Sequence, residues 1–223
     1  CPFNSASDSI TCSMIESKNK IAPLDSKRSL AFPNAVDISS QRTHAAYSPM
    51  ALLSGLGYQL ETPYNHCFEF SDSEIQQAKL TSAPYLSQDS AELNIAYFRG
   101  ARGIKLLTNA QWLTILTTFE NTLSRTINWV EILSPDITEP LRPNTKTFGT
   151  PDMRALGGYL ANFDGFISCD TGPLHLADAS NVACIGLFTH TDPEEFGVIG
   201  TRCVNVTDLD ALDPAAIAQQ LGW

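Results

Sequence analysis

Residues 170–175, Asp-Thr-Gly-Pro-Leu-His, have the make-up of an anion-binding turn. A short apolar run at 165–169 stops abruptly at Asp170, and from Leu174 the chain takes on helical periodicity. Pro173 suits a helix start, because the N–H that proline lacks would be unpaired there, and Gly172 lets a ligand come close to the backbone. The expected element is strand, tight turn, helix. The amides of Thr171, Gly172 and Leu174 and the positive end of the helix dipole would then face the strand's end, where a phosphate fits. His175, in the first helical turn, is placed to give a ring N–H to the same anion. The expected role of Asp170 is structural, holding the turn by accepting backbone N–H bonds.

A second stretch of the same character lies upstream. Arg99, Arg102 and Lys105 put three of the 14 basic side chains into one short loop with Gly100 and Gly103, directly after an apolar strand at 93–98. Ligands of open α/β sheets bind at the carboxyl edge, and glycines there let phosphate oxygens reach backbone N–H groups. By itself the loop reads equally well as a solvated basic surface. Two anion-favouring loops in one domain shift the reading to binding.

Both loops need a sheet to hold them. From residue 93 onward apolar strands alternate with amphipathic helices, which specifies an α/β fold with a parallel sheet. The spacing predicts strands at 93–98, 127–133, 165–169, 182–188 and 202–206. Helices are expected at 109–123, with Trp112, Ile115, Leu116 and Phe119 inward, at 151–162, at 174–180, and from Asp213, capped by Asp213-Pro214. Residues 134–150 read as a long proline-rich loop. Upstream, 1–45 is polar and serine-rich with a short helix at 8–17, and 44–57 has near-helical spacing that stops at glycine. Ser71 to Glu74 has capping-box spacing and opens a helix through 81.

Composition narrows the function classes. With 43% hydrophobic and 17% charged residues the chain is that of an ordinary globular protein. A formal net charge of −10 argues against nucleic-acid binding, which needs clustered cations to displace counterions. No apolar run is long enough to span a bilayer. The six cysteines, at 1, 12, 67, 169, 184 and 203, show neither CxxC pairs nor zinc spacing, and Cys169 and Cys184 read as buried thiols of a reducing compartment. Paired carboxylates, a GxSxG elbow and a metal cluster are all missing from the pattern, so a hydrolase is disfavoured and no metal or cofactor is expected.

The string DTGPLHLA (170–177), followed after Asn181 by the apolar strand 182–188 and by Thr191-Asp192-Pro193, resembles the donor-site segment of the family 9 glycosyltransferases, the heptosyltransferases of lipopolysaccharide core assembly. The resemblance implies a GT-B type enzyme with two Rossmann-like domains facing each other across a cleft. It implies inverting, metal-independent transfer of a sugar from a nucleotide-diphosphate donor such as ADP-heptose to a lipid-linked core saccharide, in the cytoplasm or peripherally at the inner membrane. Lys105 occupies the place of the family's diphosphate-contacting lysine, with Arg102 beside it. Glu131 stands where an acidic residue binds the donor's sugar hydroxyls, and Asp170, Thr171, Gly172 and His175 complete the donor set. On this resemblance 1–45 is a remnant of the first domain, 46–91 an inter-domain helical linker and 92–223 the donor domain. The family's opening strand and glycine loop with its proposed catalytic aspartate have no counterpart, so the base is expected in a missing N-terminal part and this chain alone is expected to be inactive. Where family members carry Gly-Pro before Thr-Asp-Pro, this chain has Thr189-His190. A non-catalytic nucleotide-binding module or a diverged family member is the alternative.

Overall fold

The computed structural model describes residues 6–24, 32, 34–38, 44–60 and 65–223, and the chain divides into two compact units. Cys1 lies outside the described residues. The first unit comprises Cys1–Asn65 and Glu194–Phe196. It holds helix α1 (Ala6–Met14), a parallel pair of short strands, β1 (Ile21–Pro23) and β2 (Asn34–Val36), a 3-10 turn (Ala45–Tyr47) and helix α2 (Ser48–Gly55). His44 starts the turn by accepting the Ala46 amide on its ring. The single expected helix over 44–57 is therefore a 3-10 turn running into a shorter α-helix.

The second unit, His66–Pro193 and Gly197–Trp223, carries the expected α/β alternation. Its elements are α3 (Asp72–Ser82), β3 (Leu93–Phe98), α4 (Asn109–Thr122), β4 (Ile127–Ile132), β5 (Lys146–Phe148), α5 (Met153–Leu160), β6 (Gly165–Cys169), α6 (Gly172–Ala179), β7 (Cys184–Leu187), β8 (Cys203–Val206) and α8 (Pro214–Leu221). The short helix α7 (Pro193–Phe196) falls where the two units divide the chain. All six strands of the unit's sheet run parallel, in the order β5-β4-β3-β6-β7-β8. Counted from the first strand this is the 3-2-1-4-5-6 order of a dinucleotide-binding Rossmann sheet. The expected α/β class with a parallel sheet is what the structure has.

Local chemistry explains why the elements start where they do. Ser71 and Glu74 form the expected capping box, and Thr108 and Gln111 form a second one at the start of α4. Asp152 and Asp213 each accept two amides at the starts of α5 and α8. Within the expected loop 134–150 the structure places strand β5, three residues long and at the sheet edge. Three residues among prolines and polar side chains show no period, and only pairing of Lys146 to Phe148 with Val130 to Ile132 defines the strand.

The two faces of the sheet are covered differently. Leu93, Ile95, Tyr97, Ile167 and Cys169 alternate toward one face, where they pack with Trp112, Ile115, Leu116 and Phe119 of α4 and Ile217 and Leu221 of α8. On the other face α3, α5 and α6 pack on one another, and Tyr159 of α5 stacks on Phe148 of β5 with ring centroids 3.7 Å apart. Gly165 at the start of β6 leaves room for Trp223. A Cβ there would fall 2.2 Å from the Trp223 ring, whose indole N–H donates to the Asp164 carbonyl.

Candidate functional site

Strand order decides where the site lies. The chain leaves β3 in one direction across the sheet and resumes at β6 in the other, so the loops after these neighbouring strands part and leave a crevice at the carboxyl edge. The loop after β3 carries Lys105 and the turn after β6 carries Asp170 to Pro173. These are the two stretches that the residue chemistry singles out, and the sheet sets them side by side.

Lys105, in a 3-10 turn (Gly103–Lys105), crosses to the β6 turn and donates to the Asp170 carbonyl at 2.8 Å and to its Oδ2 at 3.1 Å. His175 Nε2 stands 3.2 Å from the other oxygen, Oδ1. Asp170 is thus the hub between two cationic or proton-bearing groups, in place of the expected acceptor of backbone N–H bonds. Burial is the largest single influence on its carboxyl and pushes its pKa up. Hydrogen bonds with Lys105 and His175, the nearby Thr191 hydroxyl and the Lys105 charge together outweigh burial and hold it below the usual range. The Thr191 hydroxyl exerts this influence from a buried position outside strict hydrogen-bond geometry.

The start of α6 differs in one detail from the expectation. The Leu174 amide is engaged by the Thr171 carbonyl at 3.1 Å, which leaves the Thr171 and Gly172 amides as the ones with no partner among the described residues. The Thr171 side chain caps nothing; its hydroxyl is bonded to that of the fully buried Ser168 at 2.9 Å. Gly172 has no positive φ, and a Cβ built on it meets nothing within 4 Å. The fold itself therefore does not require glycine there, and the open side of Gly172 is a face that a ligand can reach.

The other basic residues and Glu131 are arranged differently from the sequence reading. Arg99 turns away from the β6 turn, to Glu131 Oε1, Asn109 Oδ1 and the Glu139 carbonyl, and so ties the loop after β4 to the end of β3. Glu131 is fully buried, and its Oε2 accepts from the Tyr97 hydroxyl at 2.9 Å and the Leu141 amide at 2.7 Å. Burial and the Glu131 charge push the Tyr97 pKa up, so the phenol remains the donor. A carboxylate enclosed in this way has no free oxygen for a sugar hydroxyl. Arg102 is exposed and makes no hydrogen bond or ion pair with a described residue. Sequence reading missed Asp170 as the hub and Arg99 as the tie, because their partners are 5 to 65 residues away in the chain.

Among the described residues no group of three or more His, Cys, Asp or Glu side chains is arranged to hold a metal ion, and no helix is long and apolar enough to cross a membrane.

A parallel sheet in Rossmann order, with a cation and two amides without partners among the described residues at its switch point, defines a Rossmann-like α/β domain with an anion-favouring crevice. The sequence model of glycosyltransferase family 9 (heptosyltransferase) matches residues 104–214, which span Lys105 and the β6 turn, and the chain belongs to that family. Three solved structures share its fold. The family 9 glycosyltransferase of Veillonella parvula DSM 2008 superposes with a TM-score of 0.64 at 15% identity, covering 98% of this chain and 69% of that one. E. coli heptosyltransferase WaaC with ADP gives 0.66 at 16%, covering 99% and 70%. E. coli ADP-heptose LPS heptosyltransferase II gives 0.68 at 11%, covering 98% and 73%. Comparison with curated proteins gives no match. At the family's Gly-Pro position, Thr189 and His190 are hydrogen-bonded to each other through their side chains at 2.9 Å.

Proposed function

We propose that residues 92–223 are the donor-binding domain of an inverting, metal-independent heptosyltransferase, preceded by a linker at 46–91 and a remnant of the acceptor domain at 1–45. The donor is a nucleotide-diphosphate sugar, ADP-heptose on the family's chemistry, and the acceptor a lipid-linked lipopolysaccharide core saccharide met at the cytoplasmic face of the inner membrane. The observation that carries this reading is the convergence of Lys105, His175 and the Thr171 and Gly172 amides around the end of β6.

In the proposed reaction an acceptor hydroxyl attacks the anomeric carbon from the face opposite the diphosphate, and the C–O bond to the diphosphate breaks with its electrons leaving on oxygen. Charge grows on that oxygen in the transition state. Preorganised donors aimed at it lower the barrier without reorganisation, which is the task assigned to Lys105, the two amides and the His175 ring. The base that accepts the hydroxyl proton is not one of these donor-site residues. Lys105 exchanges its Asp170 oxygens for phosphate oxygens, and Asp170 remains to orient His175. Glu131 acts through Arg99 as a strut that sets the loop after β4, and Arg102 adds long-range attraction for an anion in an acidic chain.

Isothermal titration with ADP, ADP-heptose and adenosine tests the reading. ADP and ADP-heptose are expected to bind in the presence of EDTA, and adenosine far more weakly. Equal affinity for ADP and adenosine, or a requirement for a divalent ion, overturns it.

A further inference from the structure

A second cluster lies under α6, away from the candidate site and independent of the donor-binding reading. Cys184 on β7 and Cys203 on β8 are direct register partners on neighbouring parallel strands. Adjacent strands lie about 4.8 Å apart, inside the roughly 4.4 to 6.8 Å between Cα atoms that a disulfide bridges. Both side chains reach α6: Cys184 Sγ contacts the Leu174 carbonyl at 4.0 Å and the Val182 carbonyl at 3.3 Å, while Cys203 Sγ donates to Asp178 Oδ1 at 3.2 Å. The neighbouring Cys203 thiol, followed by burial, holds the Cys184 thiol protonated. Gly200 makes the space, since a Cβ there would fall 3.1 Å from Cys203 Sγ and 2.2 Å from Asp178 Oδ1. Both cysteines are free thiols.

We propose that Cys184 and Cys203 are a reversible oxidation site, closing to a cross-strand disulfide with peroxide. Cys203, half-buried on the outer strand β8, is the sulfur an oxidant reaches first; Cys184 is fully buried. Cys203 passes its proton to Asp178 Oδ1 as its sulfur attacks the peroxide O–O bond, giving a sulfenic acid and, on protonation of the leaving oxygen, one water. Cys184 Sγ then attacks the Cys203 sulfur and displaces the hydroxyl, which leaves as a second water with the Cys184 proton. Two thiols and one hydrogen peroxide become one disulfide and two waters, and Asp178 returns to its starting state.

The surroundings suit such a cycle. Asp178 keeps the Ile199 and Gly200 amides, both at 3.0 Å, when the Cys203 thiol turns away. His66 Nε2, buried and without a hydrogen bond, already stands 3.5 Å from the vacated oxygen, Oδ1. The bridge includes the half-buried Cys203, and disulfides open to solvent are the readily reduced ones.

The purified chain is treated with hydrogen peroxide, blocked with an alkylating reagent, digested without reduction and read by mass spectrometry. The expected result is a Cys184–Cys203 linked peptide pair two hydrogens lighter than the separate peptides, which disappears on incubation with reduced glutathione. In Cys184→Ala, a sulfenic-acid probe should label Cys203 instead. Recovery of both cysteines as free thiols while Cys12 or Cys67 is oxidised overturns the proposal, as does a pairing of Cys203 with any other cysteine. The wild-type measurement decides even if the variant fails to fold.

Discussion

Lys105 Nζ lies 2.8 Å from the carbonyl oxygen of Asp170 and 3.1 Å from its Oδ2, so one ammonium group bridges the loops after β3 and β6. The pair is neutral as it stands, and the ammonium sits where an incoming phosphate would need it. Removing the lysine takes away that cation and also leaves the Asp170 charge facing the ligand. Lys105→Ala is expected to weaken ADP binding by about 1.5 to 3 kcal/mol, the range for a hydrogen bond to a charged group, while adenosine binding hardly changes. Calorimetry with both ligands checks this, and equal losses would point to damage of the fold.

Gly172 separates the needs of the fold from those of the site. With no positive φ and open space where a Cβ would go, Gly172→Val is expected to leave the thermal midpoint nearly unchanged and to abolish ADP binding, because the side chain covers the free amides. Thr171→Ser keeps the bond to Ser168 and should cost less than about tenfold in affinity, or 1.4 kcal/mol. Normal ADP binding by Gly172→Val would put the phosphate somewhere else.

Acid should loosen the site in a definite window. The Asp170 carboxyl is held below its ordinary value of 3.8, so the folded state favours the charged form. Its contribution is present in full above that value and is lost as pH falls through the lowered one. Asp170→Asn should therefore cost about 1 to 2 kcal/mol at pH 7, a figure reduced because Lys105 is partly exposed, and much less near pH 2. Urea unfolding of both proteins at the two pH values measures it; a cost that does not shrink in acid argues against the ion pair.

The Gly165 contact predicts a packing defect. Gly165→Ala must displace the Trp223 ring, a rigid neighbour only 2.2 Å from the added Cβ, and overpacking of this kind costs about 1 to 3 kcal/mol. Trp223→Ala in the same background should recover part of the loss if the ring is the cause. Tryptophan fluorescence during denaturation gives both values.

Much of this molecule is written locally. Strands at 93–98 and 165–169 stand where apolar runs end, at Arg99-Gly100 and at Asp170, and the helices start at Ser71, Thr108, Asp152 and Asp213 because those side chains satisfy the first free amides. Such signals act over three or four residues and survive without a fold. The anion-binding character of the Asp170 to Pro173 turn is legible for the same reason. The partners of long side chains are not. Arg99, Arg102 and Lys105 look alike within one loop, yet Lys105 reaches Asp170 across 65 positions, Arg99 reaches Glu131 across 32, and Arg102 points to solvent. Glu131 reads as a ligand-facing carboxylate, but its strand places it opposite Tyr97, inside the core with Arg99 above it. What decides these cases is that β6 inserts beside β3 with the two intervening strands on the far side, an order set by how the whole sheet buries its two faces and by no residue within either loop.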